Sequence, residues 1–314
     1  MKNSTRAGTY YGLLSGVLWG ASGTLVGMVL IDKHLQNLLF APIILAFISD
    51  FLSSGYMLFY LIKKKYPVKE ALTERKALII SVAALCGGPI GMSCYFMAIK
   101  YIGVGYAATI SASYPAFGAL IAFLFLKDKL HKIGVLGLFL SIITTMTLGY
   151  GAATDSEFSL IGLLFALMCA VSWGLEVVIS SYGMRKSISP DVAYFIRQIS
   201  SSFGYVLLFA SVIPFSDITE YYFMDLKIIL QIVVVSLIAT GSYLYYYRSI
   251  NLVGPIRAMG LNITYAVWAV LFGWSISNNK LDAQLIILCC IIMIGSFLTV
   301  SNPKSLSILL RYNK

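Results

Sequence analysis

Charged residues are scarce in this chain. Only 11% of its 314 residues are Asp, Glu, Lys or Arg, whereas an ordinary soluble domain carries about 25%. So few charges cannot cover the water-facing surface of a soluble fold of this size, which excludes a secreted enzyme, a disordered protein and a nucleic-acid binder. By contrast, 59% of the chain is hydrophobic and the mean hydropathy is +0.85. Most of the surface is therefore expected to face lipid.

Motifs of several enzyme classes are also missing. The sequence has no phosphate-binding loop of the pattern G-x-x-x-x-G-K-[S/T], which excludes ATP hydrolysis by that route. It has no hydrolytic triad, so we assign no catalytic residue. His34 and His131 have no neighbouring ligand set, so neither a metal site nor a cofactor is expected. The cysteines all lie in apolar runs, which predicts reduced thiols rather than a disulfide framework: Cys86, Cys94, Cys169, Cys289 and Cys290.

Ten apolar segments follow one another with short gaps, each near the length of about 20 residues that crosses a bilayer as a helix. The longest polar stretch is 63–76, so a soluble domain has no room to form. The sequence therefore predicts an all-α polytopic membrane protein. Its predicted spans are 10–30, 40–62, 77–98, 104–126, 132–150, 159–182, 192–213, 227–247, 254–275 and 283–301.

Lys and Arg residues predict the orientation of these spans, because cytoplasmic loops carry an excess of positive charge. With the N-terminus inside, eighteen of the 23 Lys and Arg residues fall on the cytoplasmic side, four fall outside, and Arg197 lies within a span. Acidic loop residues such as Asp155 and Glu220 fall mostly outside. Both termini are therefore predicted to be cytoplasmic, and the first apolar run is interpreted as an uncleaved helix.

The two halves of the chain resemble each other at an offset near 151 residues. YFMAIKYIG at 95–103 aligns with YYRSINLVG at 246–254, and the same register places Tyr114 on Tyr265. We therefore predict two five-helix repeats, 1–150 and 151–314. Because five is an odd number, the second repeat would be inverted relative to the first. Inverted repeats are typical of alternating-access carriers, which bind substrate near mid-membrane between the copies.

Away from their ends, the predicted spans contain three charged residues: Asp50, Glu176 and Arg197. A charge in lipid is costly unless it is paired or faces water, so each is a functional candidate. Glu176 follows Trp173 by three positions and shares a helix face with it. Such a pair favours an organic cation, because the carboxylate supplies countercharge and the indole ring supplies cation–π attraction. Asp50 and Arg197 come from matching helices and fit either a structural ion pair or a coupling role.

Other aromatic and polar residues are candidates for the same site. Trp19 occupies the place in the first helix that Trp173 occupies in the sixth. Tyr and Trp are also common as interfacial anchors, so anchoring or packing is the competing interpretation for any single tyrosine. Tyr246 is left open as an alternative to its neighbours. The predicted substrate-binding set is Trp19, Trp173, Glu176, Tyr243, Tyr247, Asn262, Tyr265 and Trp268.

These features together resemble the drug/metabolite transporter (DMT) superfamily in its ten-helix EamA-type branch, and within it the LicB-type choline permeases. The resemblance implies import of choline through an aromatic box closed by one carboxylate, in the cytoplasmic (inner) membrane of a bacterium. It also implies that six of the candidates above, all except Tyr247 and Asn262, occupy family positions. The strings that carry it are GLLSGVLWG (12–20), GPIGM (88–92), AIKYIG (98–103), SASYPA (111–116), WGLEVVISS (173–181), RQ (197–198) and GLNITYAVWAVLF (260–272).

The leading hypothesis is therefore a secondary transporter, not an enzyme, that imports choline or a related quaternary amine by alternating access. Membrane potential would drive the import, and coupling to protons is an open alternative. The bilayer is the other expected partner, and the oligomeric state is not assigned. One alternative is an exporter of amino acids or small metabolites, which would use Asn262 and Arg197 to hold a carboxylate. The other is proton-coupled multidrug efflux of lipophilic cations.

Overall fold

Helices account for the architecture. In the computed structural model, the described ranges contain helices and turns but no strand, as expected for an apolar chain, because a helix satisfies its own backbone hydrogen bonds in lipid. The structure describes residues 2–33, 35–36, 38–126, 132–153, 159–184, 188–212, 226–277 and 283–300.

Thirteen α-helices and one π-helix are described. In the first half they are α1 (Lys2–Leu30), α2 (Ala41–Lys63), α3 (Val68–Thr73), α4 (Arg75–Leu85), the π-helix (Cys86–Met92), α5 (Ser93–Ser111), α6 (Tyr114–Leu126) and α7 (Lys132–Ala153). In the second half they are α8 (Leu160–Gly183), α9 (Pro190–Val212), α10 (Leu226–Val253), α11 (Pro255–Asn262), α12 (Tyr265–Ser277) and α13 (Ala283–Val300).

Seven described segments are long and apolar enough to cross a bilayer, which makes the chain a multi-pass membrane protein. They differ from the ten predicted spans in three places. The predicted span 77–98 and the first residues of 104–126 lie in one 37-residue segment, Arg75–Ser111, and the rest of 104–126 forms α6. The predicted spans 132–150 and 283–301 correspond to the shorter apolar stretches Lys132–Thr144 and Ala283–Gly295.

A sharp bend at Gly103 divides the 37-residue segment. The backbone there has φ 75° and ψ 162°, a conformation that glycine adopts readily because it has no Cβ. Gly254, 151 positions later, has φ 85° and ψ 159° and separates α10 from α11. The two bends therefore fall on equivalent positions of the two predicted repeats, and the backbone has nearly the same conformation at both.

The helices that follow the two bends also correspond. α6 and α12 are 13 residues long and begin at Tyr114 and Tyr265. Two turn residues precede each of them. α7 begins at Lys132 and α13 at Ala283, again 151 positions apart. Each half of the chain therefore follows one local plan from its bend to its last helix.

The first helix of each half packs against the other half. α1 lies along α10 and α12, while α8 lies along α5 and α6. Small residues permit the close approach: a Cβ built at Gly174 would lie 2.8 Å from the backbone nitrogen of Gly118. Such contacts are typical of helix packing in lipid. The exchange brings Trp19 of α1 and Trp173 of α8 together, with 5.6 Å between their ring centroids.

The π-helix connects α4 to α5 beside this meeting point. It contains Pro89 and three glycines, residues that disfavour regular α-helical hydrogen bonding. One of its backbone carbonyls takes a side-chain donor instead: Nε1 of Trp173 donates to the oxygen of Gly87 at 3.2 Å. Single turns of π-helix occur frequently at functional sites. Here the turn fixes the position of the Trp173 indole.

Some residues used in the sequence argument lie outside the described ranges. They include His34, His131, several loop lysines and arginines, and the acidic residues of 154–158 and 213–225. The predicted orientation of the termini therefore stays a prediction. The five cysteines do lie within the described ranges, and all are free thiols.

Candidate functional site

A cavity lies between the two halves of the chain, where α1, α6, α8, α10 and α11 meet. Its open interior is about 30 Å³, room for a water molecule or two. A larger ligand therefore requires the surrounding side chains to move apart. We call this space the central cavity; its lining residues are Trp19, Tyr114, Trp173, Glu176, Val177, Ser180, Ser242, Tyr243, Tyr246, Tyr247, Ile250 and Asn262.

Aromatic rings on the wall of the central cavity pack against one another. Trp19 lies edge-on to Trp173, and it lies edge-on to Tyr243 at 5.1 Å between ring centroids. Tyr114 meets Trp173 at 6.3 Å with an interplanar angle of 90°. Edge-to-face pairs of this kind contribute about 0.5–1.5 kcal/mol each. A cation that entered would have to replace some of these ring–ring contacts with ring–cation contacts.

Glu176 supplies the acidic group of the cavity. Its side chain is 4% exposed, and Oε1 accepts hydrogen bonds from Nε of Arg197 at 2.9 Å and from the Tyr247 hydroxyl at 3.3 Å. The other oxygen, Oε2, lies against the π-helix, since a Cβ built at Gly87 would be only 1.7 Å from it. Glycine at position 87 therefore leaves the space that the carboxylate occupies.

Arg197 is shared by two carboxylates. It is fully buried, and it donates from Nε to Glu176 and from Nη1 to Oδ2 of Asp50, both at 2.9 Å. Its Cζ atom also lies 4.7 Å from the centroid of the Tyr243 ring. We call Asp50, Glu176 and Arg197 the buried triad. With all three ionised, the triad has a net charge of −1.

Asp50 occupies the end of the triad that is remote from the cavity. It accepts hydrogen bonds from Arg197, from the Ser201 hydroxyl at 2.5 Å and from the Gln198 side-chain amide at 3.3 Å. All three partners donate, so Asp50 uses only the acceptor capacity of an ionised carboxylate. Ser201 follows Asp50 by 151 positions, so their hydrogen bond joins equivalent positions of the two halves.

An uncharged polar network also borders the central cavity. The hydroxyls of Tyr114 and Tyr246 are 3.0 Å apart, and Tyr114 donates to Oδ1 of Asn262 at 3.2 Å. The amide nitrogen of Asn262 donates to the Ser15 hydroxyl at 2.9 Å. The cavity therefore offers neutral donors and acceptors in addition to the carboxylate.

Two predicted site residues, Tyr265 and Trp268, lie outside the described lining. Tyr265 is buried, is hydrogen bonded to Ser111 at 2.7 Å and has its ring centroid 6.4 Å from that of Trp173. Trp268 stacks on Phe272 at 5.8 Å. The other six predicted residues all line the cavity: Trp19, Trp173, Glu176, Tyr243, Tyr247 and Asn262. A role in substrate binding stays a prediction for all eight.

Sequence reasoning did not assign two tyrosines of this region to the site. Tyr114 lines the cavity, and the ring centroid of Tyr95 lies 5.1 Å from that of Trp173. Each is the repeat equivalent of a tyrosine that was considered, since Tyr114 aligns with Tyr265 and Tyr95 with Tyr246. The repeat register is therefore the signal that finds them.

A second ion pair joins α2, α9 and α10 away from the cavity. Arg248 donates to both carboxylate oxygens of Asp191 at 2.8 Å, and the Tyr60 hydroxyl lies 2.9 Å from Arg248 and 3.2 Å from Asp191. Tyr66 donates to Asp191 at 3.4 Å, and burial together with the Asp191 charge raises the pKa of Tyr66. We call these four residues the peripheral clamp. It has one acid and one base.

Comparison with known proteins identifies the family of this helical architecture. The model of the EamA-like transporter family matches residues 6–150 and again residues 160–301. The chain belongs to the EamA-like transporter family. The family resemblance inferred from the sequence motifs is thereby confirmed. As a family member the chain is a membrane transporter.

Individual relatives agree with this assignment. Protein LicB of Haemophilus influenzae is 34% identical over 296 residues, which cover 93% of this chain and 97% of LicB, and this supports the LicB-type assignment. An uncharacterized transporter of Clostridium kluyveri is 27% identical and covers 70% of this chain and 72% of its own length. A solved crystal structure with 16% identity covers 93% of this chain and 96% of its own, with a TM-score of 0.65, and shows the same fold.

Proposed function

We propose that the chain is a secondary transporter that imports choline, or a closely related quaternary ammonium ion, through the central cavity. The observation that carries the proposal is the unequal charge of the buried triad. Two carboxylates share one guanidinium in a buried, largely apolar site, so with all three groups ionised one negative charge has no countercharge within the triad. A buried charge is stable only when it is paired. A singly charged cation in the cavity would complete the pairing.

The aromatic lining favours a quaternary ammonium over a small inorganic ion. A quaternary ammonium has no N–H group and cannot donate a conventional hydrogen bond, so aromatic ring faces bind it well. The ring centroid of Trp19 lies 5.6 Å from that of Trp173 and 5.1 Å from that of Tyr243. When these rings separate to admit the ligand, their faces supply cation–π attraction beside the Glu176 carboxylate.

The uncharged network suits the other end of choline. The choline hydroxyl both donates and accepts a hydrogen bond, and the side chains of Tyr246, Ser242 and Asn262 all line the cavity. These groups offer donors and acceptors without adding charge. The carboxylate therefore matches the positive charge of choline, the aromatic rings match its methyl groups, and the neutral polar groups match its hydroxyl.

The membrane arrangement is part of the same proposal. We place ten spans in the bacterial cytoplasmic (inner) membrane, as two inverted five-helix repeats that comprise residues 1–150 and 151–314, with both termini in the cytoplasm. The matched bends at Gly103 and Gly254 and the exchanged first helices support this plan. A cavity between repeats can open to either side when one repeat rocks against the other. Membrane potential would contribute about 2.3 kcal/mol per 100 mV to the entry of one positive charge.

The buried triad weighs against export of amino acids as the main activity. That alternative needs Arg197 to hold a substrate carboxylate. Arg197 is already bonded to Asp50 and Glu176, and it lies outside the described lining of the cavity. A substrate carboxylate would also meet Glu176, a group of like charge. The charge of the site therefore favours a cation as cargo.

A binding comparison tests the proposal. The purified protein in detergent is titrated by calorimetry with choline, with the uncharged isostere 3,3-dimethylbutanol, with alanine and with ethidium. We expect choline to bind most tightly, because it carries the net positive charge that dimethylbutanol and alanine lack, and because the cavity must widen less for choline than for ethidium. Tighter binding of alanine would support the amino-acid exporter, and tighter binding of ethidium would support multidrug efflux. Either result would contradict choline transport as the main function.

A further inference from the structure

We propose that Asp50 determines the affinity for the cationic cargo without touching it, by acting through Arg197. Asp50 pairs with the guanidinium, and this leaves the charge of Glu176 for a cation in the central cavity. The inference rests on the proposed function, and it assigns to Asp50 and Arg197 a positioning role that goes beyond holding two helices together.

The order in which the three side chains contact one another supports this inference. Glu176 lines the cavity, whereas Arg197 and Asp50 lie outside the described lining. Arg197 separates the two carboxylates and uses a different nitrogen for each, Nε for Glu176 and Nη1 for Asp50. The guanidinium therefore stands between the cargo's carboxylate and a second carboxylate that the cargo does not reach.

The net charge of the buried triad determines the charge that a ligand meets in the central cavity. If Arg197 were alone behind Glu176, the two would form a neutral pair and a cation in the cavity would meet no net charge. It would also meet the guanidinium as a like charge directly behind the carboxylate. Asp50 supplies the second negative charge. Its attraction for a cation in the cavity is strong because the surroundings have a low dielectric constant. The net charge at the cavity wall becomes −1, the complement of one quaternary ammonium.

Asp50 is held in place for this task by groups that do not contact the cavity. Ser201 and Gln198 donate to it in addition to Arg197, and its side chain is 1% exposed. Because its two oxygens accept three hydrogen bonds, Asp50 cannot turn toward the cavity without losing them. Asp50 therefore affects the substrate through its ion pair with Arg197.

Charge-restoring substitutions test this role. Three proteins are compared in detergent: the wild type, D50N, and the double variant D50N/R197Q. The triad has a net charge of −1 in the wild type, zero in D50N, and −1 again in the double variant, where Glu176 alone is charged. Choline and 3,3-dimethylbutanol are titrated into each by calorimetry. The uncharged isostere reports on the shape of the cavity, whereas choline reports on its shape and charge.

We expect D50N to weaken choline binding by about tenfold or more, equivalent to roughly 1.4 kcal/mol, and to change the affinity for dimethylbutanol by less than about threefold. The double variant should regain choline binding to within about threefold of the wild type. A purely structural ion pair predicts another pattern. Its loss would affect both ligands alike, and removing the second partner would not restore choline binding.

Each remaining outcome also decides the question. If D50N binds choline as the wild type does, or if the folded double variant binds as weakly as D50N, the role of Asp50 is refuted while choline transport stands. If the wild type does not bind choline, the proposed function itself fails. Should D50N not fold, the double variant alone decides, because its triad has the same net charge as that of the wild type. Near-wild-type choline binding by it supports the role, and its loss refutes it.

Discussion

The buried triad and the peripheral clamp each hold an arginine between helices, but they differ in their balance of charge. In the triad, Arg197 is fully buried and serves two carboxylates. In the clamp, Arg248 is 24% exposed and serves one carboxylate through a bidentate contact. The clamp is thus electrically complete within the described residues, whereas the triad has one acid in excess and lies beside a cavity.

The difference separates a structural pair from a candidate binding group. A pair with matched charges and good geometry needs no further partner, and its contribution is to join helices. An excess carboxylate in a membrane interior is costly, so its retention indicates a function. The same kind of substitution should therefore weaken ligand binding when it is made in the triad and leave binding nearly unchanged when it is made in the clamp.

Amide substitution of the acid beside each arginine should give the largest contrast. Glu176→Gln removes the excess charge of the site, and we expect choline affinity to fall by about a hundredfold, equivalent to roughly 3 kcal/mol. Asp191→Asn removes the acid of the clamp, and choline affinity should stay within about threefold of the wild type. Calorimetric titration measures both. Similar losses of affinity in the two variants would remove the distinction between the clusters.

A smaller loss is expected when the space for the carboxylate is filled. Gly87→Ala places a methyl group where Oε2 of Glu176 lies, since a Cβ there would be 1.7 Å away. The carboxylate must swing aside, and we expect choline affinity to fall by about thirtyfold, or roughly 2 kcal/mol.

Gly55→Ala is the matched control for this substitution. Gly55 lies in α2, and a Cβ there has nothing within 4 Å, so alanine should stabilise the helix by about 0.5–1 kcal/mol. Choline binding should not change. If Gly87→Ala also leaves binding intact, the position of Glu176 against the π-helix is not required for cargo binding.

Loss of the indole should weaken binding without abolishing it. Trp173→Phe keeps an aromatic ring but gives up the larger π-surface and the hydrogen bond from Nε1 to Gly87. Because one cation–π contact contributes about 1 kcal/mol, we expect choline affinity to fall by about fivefold. Binding of 3,3-dimethylbutanol serves as the control and should fall less. An equal loss for both ligands would indicate a packing role for Trp173.

The smallest effect on binding is expected in the clamp. Tyr60→Phe removes a hydroxyl that contacts both members of the ion pair, and loss of such hydrogen bonds costs about 1 kcal/mol of stability. The melting temperature in detergent should fall by a few degrees, while choline affinity stays within about twofold. A clear loss of choline binding would show that the clamp, too, contributes to the binding site.

Much of the fold follows from the sequence because lipid imposes simple rules. Long apolar runs must be helical, and the helices of the structure lie close to the predicted spans. The 151-residue register also anticipates where Tyr114 and Tyr265 begin equivalent helices. The π-helix was not predicted, because Pro89 and the three glycines indicate only that regular α-helical hydrogen bonding is disfavoured there, and not which irregular turn forms.

Residues of the candidate site could be grouped from the sequence only where helical spacing places them on the same face of one helix. Glu176 and Trp173 could be grouped because helical spacing places them on one face. The pairing of Arg197 with Glu176 could not be inferred, because it depends on how α8 and α9 pack. Trp268 stacks on Phe272 outside the described lining of the cavity. This position also depends on tertiary packing, so it could not be predicted from local spacing.

Uptake into proteoliposomes tests the central claim, that one uncompensated buried carboxylate recruits a cationic cargo. Labelled choline is supplied outside vesicles that contain the wild type or Glu176→Gln, under an imposed negative-inside potential. The account predicts choline accumulation by the wild type that increases with the potential, and accumulation no greater than that of empty vesicles for the variant. Choline uptake by Glu176→Gln at the wild-type rate, or uptake by neither protein, would contradict it.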